Sequence, residues 1–356
     1  MEPIKLDPFT EVPNCNGPSV TLKCLIDIVN EMPEQHFLYK GIKVPSMGAI
    51  FGVPKAGKTI LAESLGLSVA AGLNEFLGEK IYFGNQRVMF FGLEEYYPSR
   101  TKRNEKQIEY FTKAYNLPRN WTDNIFVVNE DFPKHILSDD DWKLLDQEIE
   151  RIKPTMVMID SLTRLTLEPI EDSTVASKLM KKLKELTHKH NIALVLIHHT
   201  HKMENRPITL ATLAGSRVIG QELDFMIGVN KTNRNDRYIK DVAYRYANDD
   251  MDYVTTFEIN DYLVIEQLKQ EKEYKLLEGA EISANQNPND LSIIQYFLDC
   301  TEGDNSVIIE TKQLKDYFVN TGFMSGPTLY ATLKRLINQN VIWQSEKGKY
   351  ALRESS

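Results

Sequence analysis

The sequence predicts an α/β protein in which a mostly parallel sheet is flanked by helices and followed by a small C-terminal unit. Three observations carry this. From Met47 to Asn230, short apolar runs alternate with longer helical stretches, the pattern of βα units. Two of those runs, Met156-Val-Met-Ile and Ala193-Leu-Val-Leu-Ile, are apolar throughout, as befits strands covered on both faces. A charged and then Asn-rich stretch over 267–290 separates this region from a compact tail and reads as a linker.

Residues 1–40 form an N-terminal segment with one expected helix, Thr21–Glu31, between proline-bearing stretches. In the main domain, 41–266, strands are expected at Gly48–Phe51, Arg87–Gly92, Ile125–Val128, Thr155–Ile159, Ile192–Ile197 and Phe225–Asn230. Helices are expected at Thr59–Ala71, Ser99–Tyr115, Asp139–Ile152 and Ser173–His190, from apolar positions at helical spacing. Two antiparallel strands, Ile239–Ala247 and Tyr253–Ile259, follow. Residues 291–356 read as three helices (Leu291–Asp299, Thr311–Asn320, Thr328–Asn340) and a hairpin turning at Glu346-Lys-Gly-Lys. That order resembles a winged helix-turn-helix.

The 356-residue chain has 42 Lys and Arg against 50 Asp and Glu, a net charge of −8. This excludes a protein that binds nucleic acid through a broadly basic surface; any such contact must be local or built by oligomerisation. Three cysteines without a C-x-x-C pair argue against a disulfide framework or a cysteine zinc site. The N-terminus lacks a signal-peptide core, and no apolar run is long enough to cross a membrane. The expectation is a cytoplasmic protein with no membrane partner.

Gly52-Val53-Pro54-Lys55-Ala56-Gly57-Lys58-Thr59 fits G-x-x-x-x-G-K-[ST], with Ile60 continuing into a helix. The glycines let backbone N–H groups close around phosphates, and the helix directs its positive end at them. Lys58 supplies a point charge to the phosphates and the Thr59 hydroxyl a ligand for Mg²⁺. These features imply ATP and Mg²⁺ as cofactors. Thr155-Met-Val-Met-Ile-Asp160 ends in an aspartate placed to hold the metal's shell opposite Thr59. Ser161, not glutamate, follows it, so the water-activating carboxylate must come from elsewhere. The strand Arg87–Leu93 ends in Glu94-Glu95, and a carboxylate at that position can polarise the attacking water. Sequence leaves open which of the two does so.

With these motifs in order, the chain resembles RecA-like P-loop ATPases, specifically the branch holding the RepA and DnaB hexameric helicases and KaiC. The carriers are Pro54-Lys-Ala-Gly-Lys-Thr, Glu94-Glu95 with Arg100 and Arg103, Asp160-Ser-Leu-Thr-Arg, Val195-Leu-Ile-His198-His199-Thr-His-Lys and Gly215-Ser-Arg-Val-Ile. The resemblance covers about 41–259. It implies ATP hydrolysis at the subunit interfaces of a ring, expected to be a hexamer, coupled to movement along single-stranded DNA. It assigns His199 as the γ-phosphate sensor, Lys202 and Arg206 to a nucleic-acid-contacting channel loop, and Arg103 to stacking on adenine. Arg245 becomes the arginine that completes a neighbour's site, with Arg217 the runner-up. Relatives carry Lys-x-Arg where this chain has Ala243-Tyr-Arg245, a departure that weakens the match there. In the tail, Lys334 and Arg335 on the expected recognition helix would meet DNA, or the tail would dock a replication protein. The helicase reading stands against an ATP-switched DNA-binding or loading ATPase without unwinding activity, and against a signalling ATPase without nucleic acid.

Overall fold

The computed structural model of the chain describes residues 17–31, 36–201, 203, 206–232, 234–247, 253–277, 288–301, 307–339 and 341–353. The chain divides into two units, Met1–Glu278 and Gly279–Ser356.

The first unit is built on a nine-stranded sheet. Its strands are β1 (Ser46–Gly52), β2 (Val88–Gly92), β3 (Ile125–Val127), β4 (Met156–Asp160), β5 (Ala193–His199), β6 (Phe225–Lys231), β7 (Arg237–Tyr244), β8 (Tyr253–Ile259) and β9 (Ile265–Lys272). Their order across the sheet is β9-β8-β7-β6-β1-β5-β4-β2-β3. The strands from β6 to β3 run parallel, and β7, β8 and β9 add antiparallel pairings at one edge. Parallel neighbours bring all their carboxyl ends to one edge, so Gly52, Gly92, Asp160 and His199 converge there: Gly92 pairs with Asp160 and Gly52 with His199. Ligand crevices in open parallel sheets lie outside that edge.

Alternate residues of each central strand feed two cores. Met47, Ala49 and Phe51 join Leu145, Ile149, Met180 and Leu183 on one face, beneath the helices α4 (Asp139–Ile152) and α5 (Ser173–His190). Ile50, Met156, Met158, Val195 and Ile197 join Leu61, Leu65 and Val69 on the other, beneath α2 (Lys58–Ala70). The two all-apolar runs are therefore strands with both faces covered. Helix α2 is enclosed on nearly every side, burying even Glu63, Ser64 and Ser68. Helix α4 opens with Ser138 capping Asp141 N while the Asp141 carboxylate accepts from Ser138 N, a reciprocal cap over the first turn. Helix α1 (Leu22–Glu31) and helix α3 (Tyr97–Ala114) also lie where periodicity places them.

One expectation needs correction. The linker read from 267 begins later, because β9 runs to Lys272 and a short helix α6 (Glu273–Leu277) follows. Only Ile265 of β9 is buried, and its exposed positions are Gln267, Leu268, Lys269 and Gln270, followed by Glu271 and Lys272. Charged residues of this sort protect an exposed sheet edge, and they erased the apolar alternation that marks a strand.

The second unit contains α7 (Pro288–Thr301), β10 (Ile309–Glu310), α8 (Thr311–Leu314), continued as a wider turn over Lys315–Val319, α9 (Gly326–Asn338), β11 (Ile342–Glu346) and β12 (Lys349–Leu352). Its strands pair antiparallel in the order β10-β12-β11. Ile293, Phe297, Leu314, Phe318, Leu329, Leu333, Leu336 and Ile342 form its core.

Gly52 is a point where the sheet admits no side chain. A Cβ there would lie 1.9 Å from the Val229 carbonyl oxygen of β6. Gly52→Ala should therefore lose about 3 kcal/mol or more of stability by chemical denaturation, at the severe end of overpacking.

Candidate active site

The loop after β1 reverses with Lys55 at φ 61° and Gly57 at φ 106°. The second value suits glycine, which has no Cβ to clash in that region. Gly57 caps α2, so the helix's first N–H groups open into the loop, a ready anion site. Lys58 is buried, and its Nζ donates to the carbonyls of Gly52 at 3.2 Å and Val53 at 3.0 Å. Burial lowers its pKa, while Asp160 and Glu94 act to raise it.

Across the crevice, Thr59 Oγ1 donates to Asp160 Oδ2 at 2.6 Å. Two oxygens of the type that binds Mg²⁺ thus sit together beside the phosphate loop. Burial pushes the Asp160 carboxyl up to about 6, with the charges of Glu94 and Glu63 adding to the shift. Thr59 and Lys58 counter it only in part. A partly buried carboxylate short of positive charge fits a divalent cation, which would relieve that deficit.

The two glutamates ending β2 part company. The backbone N–H groups of Leu93 and Glu94 donate to the Asp160 carbonyl at 2.7 and 3.2 Å, fixing the strand end against β4. Glu94 accepts from the Ser161 hydroxyl in a short hydrogen bond and from Thr163 Oγ1 at 3.4 Å. Its charge acts on Lys58, Asp160 and His199. Glu95 turns the other way: Arg103 Nη1 donates to its Oε1 at 2.8 Å, and Nη2 lies 2.6 Å from Oε2. Glu94 is thus the carboxylate whose charge bears on Lys58, Asp160 and His199, whereas Glu95 is held by Arg103.

A family model described as AAA domain (AAA_25) matches residues 24–205, just over half of the chain. The chain belongs to the AAA domain family. The match runs from α1 to just past β5, so β6–β9 and the second unit lie beyond it. Among solved structures, the KaiC-like protein of the hyperthermophilic archaeon Pyrococcus horikoshii OT3 is 15% identical, covers 64% of this chain and 90% of its own, and has a TM-score of 0.44. No curated protein matches the sequence. Phosphate loop, metal-side aspartate and parallel sheet make this AAA domain a RecA-like P-loop ATPase in fold.

His199 of the AAA domain stands beside Gly52 at the end of β5. It is half-buried, and burial followed by Lys58 lowers its pKa. Its backbone continues into the stem of the next loop: Ala214 N donates to the His199 carbonyl at 3.0 Å and His201 N to the Thr212 carbonyl at 3.0 Å. A residue touching both phosphate loop and loop stem can transmit strain between them. His198 is fully buried, and its Nε2 lies 3.0 Å from the Ala214 carbonyl. Burial drives its pKa down to about 4.

Lys202 lies outside the described residues. Arg206 is exposed on the same loop, and its carbonyl accepts from Asn230 Nδ2 at 3.1 Å. The adenine-stacking expectation for Arg103 meets a different geometry. Its Nε and Nη2 also donate to Glu63, each at 2.7 Å, so both edges of the guanidinium are engaged by carboxylates. Sequence reading missed Glu63 altogether; an acidic residue inside an otherwise apolar helix was the available signal. Arg245 follows Tyr244, which pairs with Phe225 at the start of β6, the sheet end opposite the phosphate loop. Its Nε lies 3.1 Å from Asp224 Oδ1, and the side chain is 48% exposed. It therefore stands away from the phosphate loop of the same chain. Arg217 is exposed at the start of the short helix Arg217–Glu222. In the second unit, Lys334 is exposed, whereas Arg335 is bound through Nε to both Asp290 oxygens at 3.0 and 2.9 Å. Arg335 therefore ties α9 to α7 instead of standing free for a phosphate.

Two outcomes follow from this geometry. Glu94→Gln should lower ATP turnover at least about a hundredfold, as loss of a general base does, whereas Glu95→Gln should lose about tenfold; steady-state phosphate release checks both. The buried His198 binds its proton more weakly folded than unfolded, so stability falls as pH drops from about 6.5 toward 4. Between pH 7 and 5 the wild type should lose about 2 kcal/mol more than His198→Gln in urea titrations.

Proposed function

We propose that this chain is an ATP-hydrolysing motor that assembles into a ring, expected to be a hexamer, and acts on single-stranded DNA as a replicative-type helicase or translocase. The observation that carries the hydrolytic part is the separation of Glu94 from Glu95: one carboxylate accepts from Ser161 and acts by its charge on Asp160 and Lys58, and the other is bound by Arg103. In this reading the loop amides and Lys58 hold the phosphates, and Thr59 and Asp160 hold Mg²⁺. The metal would neutralise phosphate charge. Glu94 orients and deprotonates the attacking water, and the Ser161 hydroxyl steadies that carboxylate in place. His199 reports the terminal phosphate to the loop bearing Arg206.

The remoteness of Arg245 from its own phosphate loop supports assembly. A cation on the far end of the sheet is useful to hydrolysis only in a neighbour's site, where such an arginine is worth about 10³–10⁵ in rate. Release from Asp224 would free it. One exposed arginine per loop becomes a basic ring only in an oligomer.

The order α7, β10, α8, α9, β11, β12 supports a winged-helix-like reading of the second unit, with α9 as the recognition helix and Lys334 on its exposed face. The engagement of Arg335 by Asp290 favours a second reading, in which this unit docks a replication protein and the ATPase switches or loads without unwinding.

Turnover is measured with and without single-stranded DNA, alongside mass by light scattering. DNA-stimulated hydrolysis by an oligomer is expected, and a DNA-indifferent monomer contradicts the proposal. Mixing Lys58→Ala with Arg245→Ala subunits should restore turnover that neither variant has alone, because one supplies the site and the other the arginine. Strand release from a forked duplex separates helicase from loader.

A further inference from the structure

Helix α2 carries a carboxyl side chain where an apolar residue would ordinarily pack. Glu63 is 3% exposed and lies one turn beyond Thr59, so the two share a helix face. Thr59 holds Asp160 at the end of β4. Glu63 receives Arg103 Nε and Nη2 at 2.7 Å each, and Gln107 Nε2 at 3.2 Å. The other edge of Arg103 grips Glu95 at the end of β2. Gln107, one turn along α3 from Arg103, also donates to the Leu263 carbonyl at 2.8 Å. Burial opposes the charge on Arg103, but the hydrogen bonds to Glu63 and Glu95 hold it protonated above its ordinary range. Arg100 adds its positive charge beside the same carboxylates.

Fold stability is a poor account of this arrangement. A buried ion pair is often no better for folding than apolar residues of the same volume, whereas removing one partner is costly. What the bridge supplies is register. One face of α2 fixes the metal-side strand through Thr59, and through Glu63 and Arg103 it fixes the strand bearing the water-activating carboxylate.

We propose that Glu63 is a positioning residue for hydrolysis: through Arg103 it anchors Glu95, and so sets where Glu94 stands relative to the phosphates held by Lys58 and Thr59. The inference rests on the hydrolytic reading above. Without the Glu63 charge, Arg103 is free to turn to other carboxylates and the end of β2 loses its fixed distance from α2. Nucleotide binding, carried by the loop and Lys58, should be untouched.

The test uses the full chain with Mg²⁺, a fluorescent ATP analogue for affinity, and steady-state turnover. Glu63→Gln should bind nucleotide within about twofold of wild type while kcat falls at least about tenfold and KM hardly moves, the pattern of a lost transition-state interaction. Arg103→Lys should do the same. The double variant should be no slower than either single one, because both break one bridge. A purely structural role predicts the reverse: folded Glu63→Gln with wild-type kcat, or independent losses that multiply in the double variant. Either result overturns the proposal. If Glu63→Gln does not fold, Arg103→Lys decides, and unchanged kcat in that variant sinks it. A wild type with no turnover removes both the hydrolytic reading and this inference. Active wild type with equally active Glu63→Gln removes only the latter.

Discussion

The seating of α2 on the parallel sheet is the constraint from which the site follows. This helix is enclosed almost all round, so its first turn cannot shift without opening a core that includes Leu61, Leu65 and Val69. That rigidity holds Lys58 and Thr59 over the carboxyl ends of β1, β5, β4 and β2. The Thr59–Asp160 hydrogen bond then locks helix to sheet at the point where a metal would bind. Pre-set geometry of this kind is what phosphoryl transfer asks of a protein, since the reaction is helped mainly by positioning and electrostatics.

The same seating explains the distribution of charge. Glu63, Glu94, Glu95 and Asp160 crowd one crevice, and Lys58, Arg100 and Arg103 answer them from α2 and α3. The pairing is uneven. Arg103 takes Glu63 and Glu95, which leaves Glu94 to the Ser161 and Thr163 hydroxyls and the more distant Arg164, and Asp160 with a raised pKa. An excess of negative charge at the metal side, and a carboxylate held next to it by hydroxyl donors, are what a Mg²⁺-dependent hydrolytic site needs.

Much of this was legible in the sequence, for reasons that differ by residue. The phosphate loop and Asp160 are legible because their chemistry fixes residue type and spacing together. The central strands are legible because double-sided burial demands unbroken apolar runs. Strand β9 was not, since an exposed edge strand carries solvated residues that mimic a linker. The choice between Glu94 and Glu95 was not legible either, because adjacent residues on a strand end differ only in which neighbours they meet. Arg335 and Arg103 show the same limit: a cation reads as a ligand-binding group until its carboxylate partner, 45 or 40 residues away in sequence, is known. Glu63 was hidden by the apolar texture around it.

The most direct measurement of the central claim is a crystal structure of the protein with a non-hydrolysable ATP analogue and Mg²⁺. The account predicts Glu94 one water away from the terminal phosphate, with Glu95 still on Arg103. Glu95 at the phosphate and Glu94 turned to solvent would contradict it.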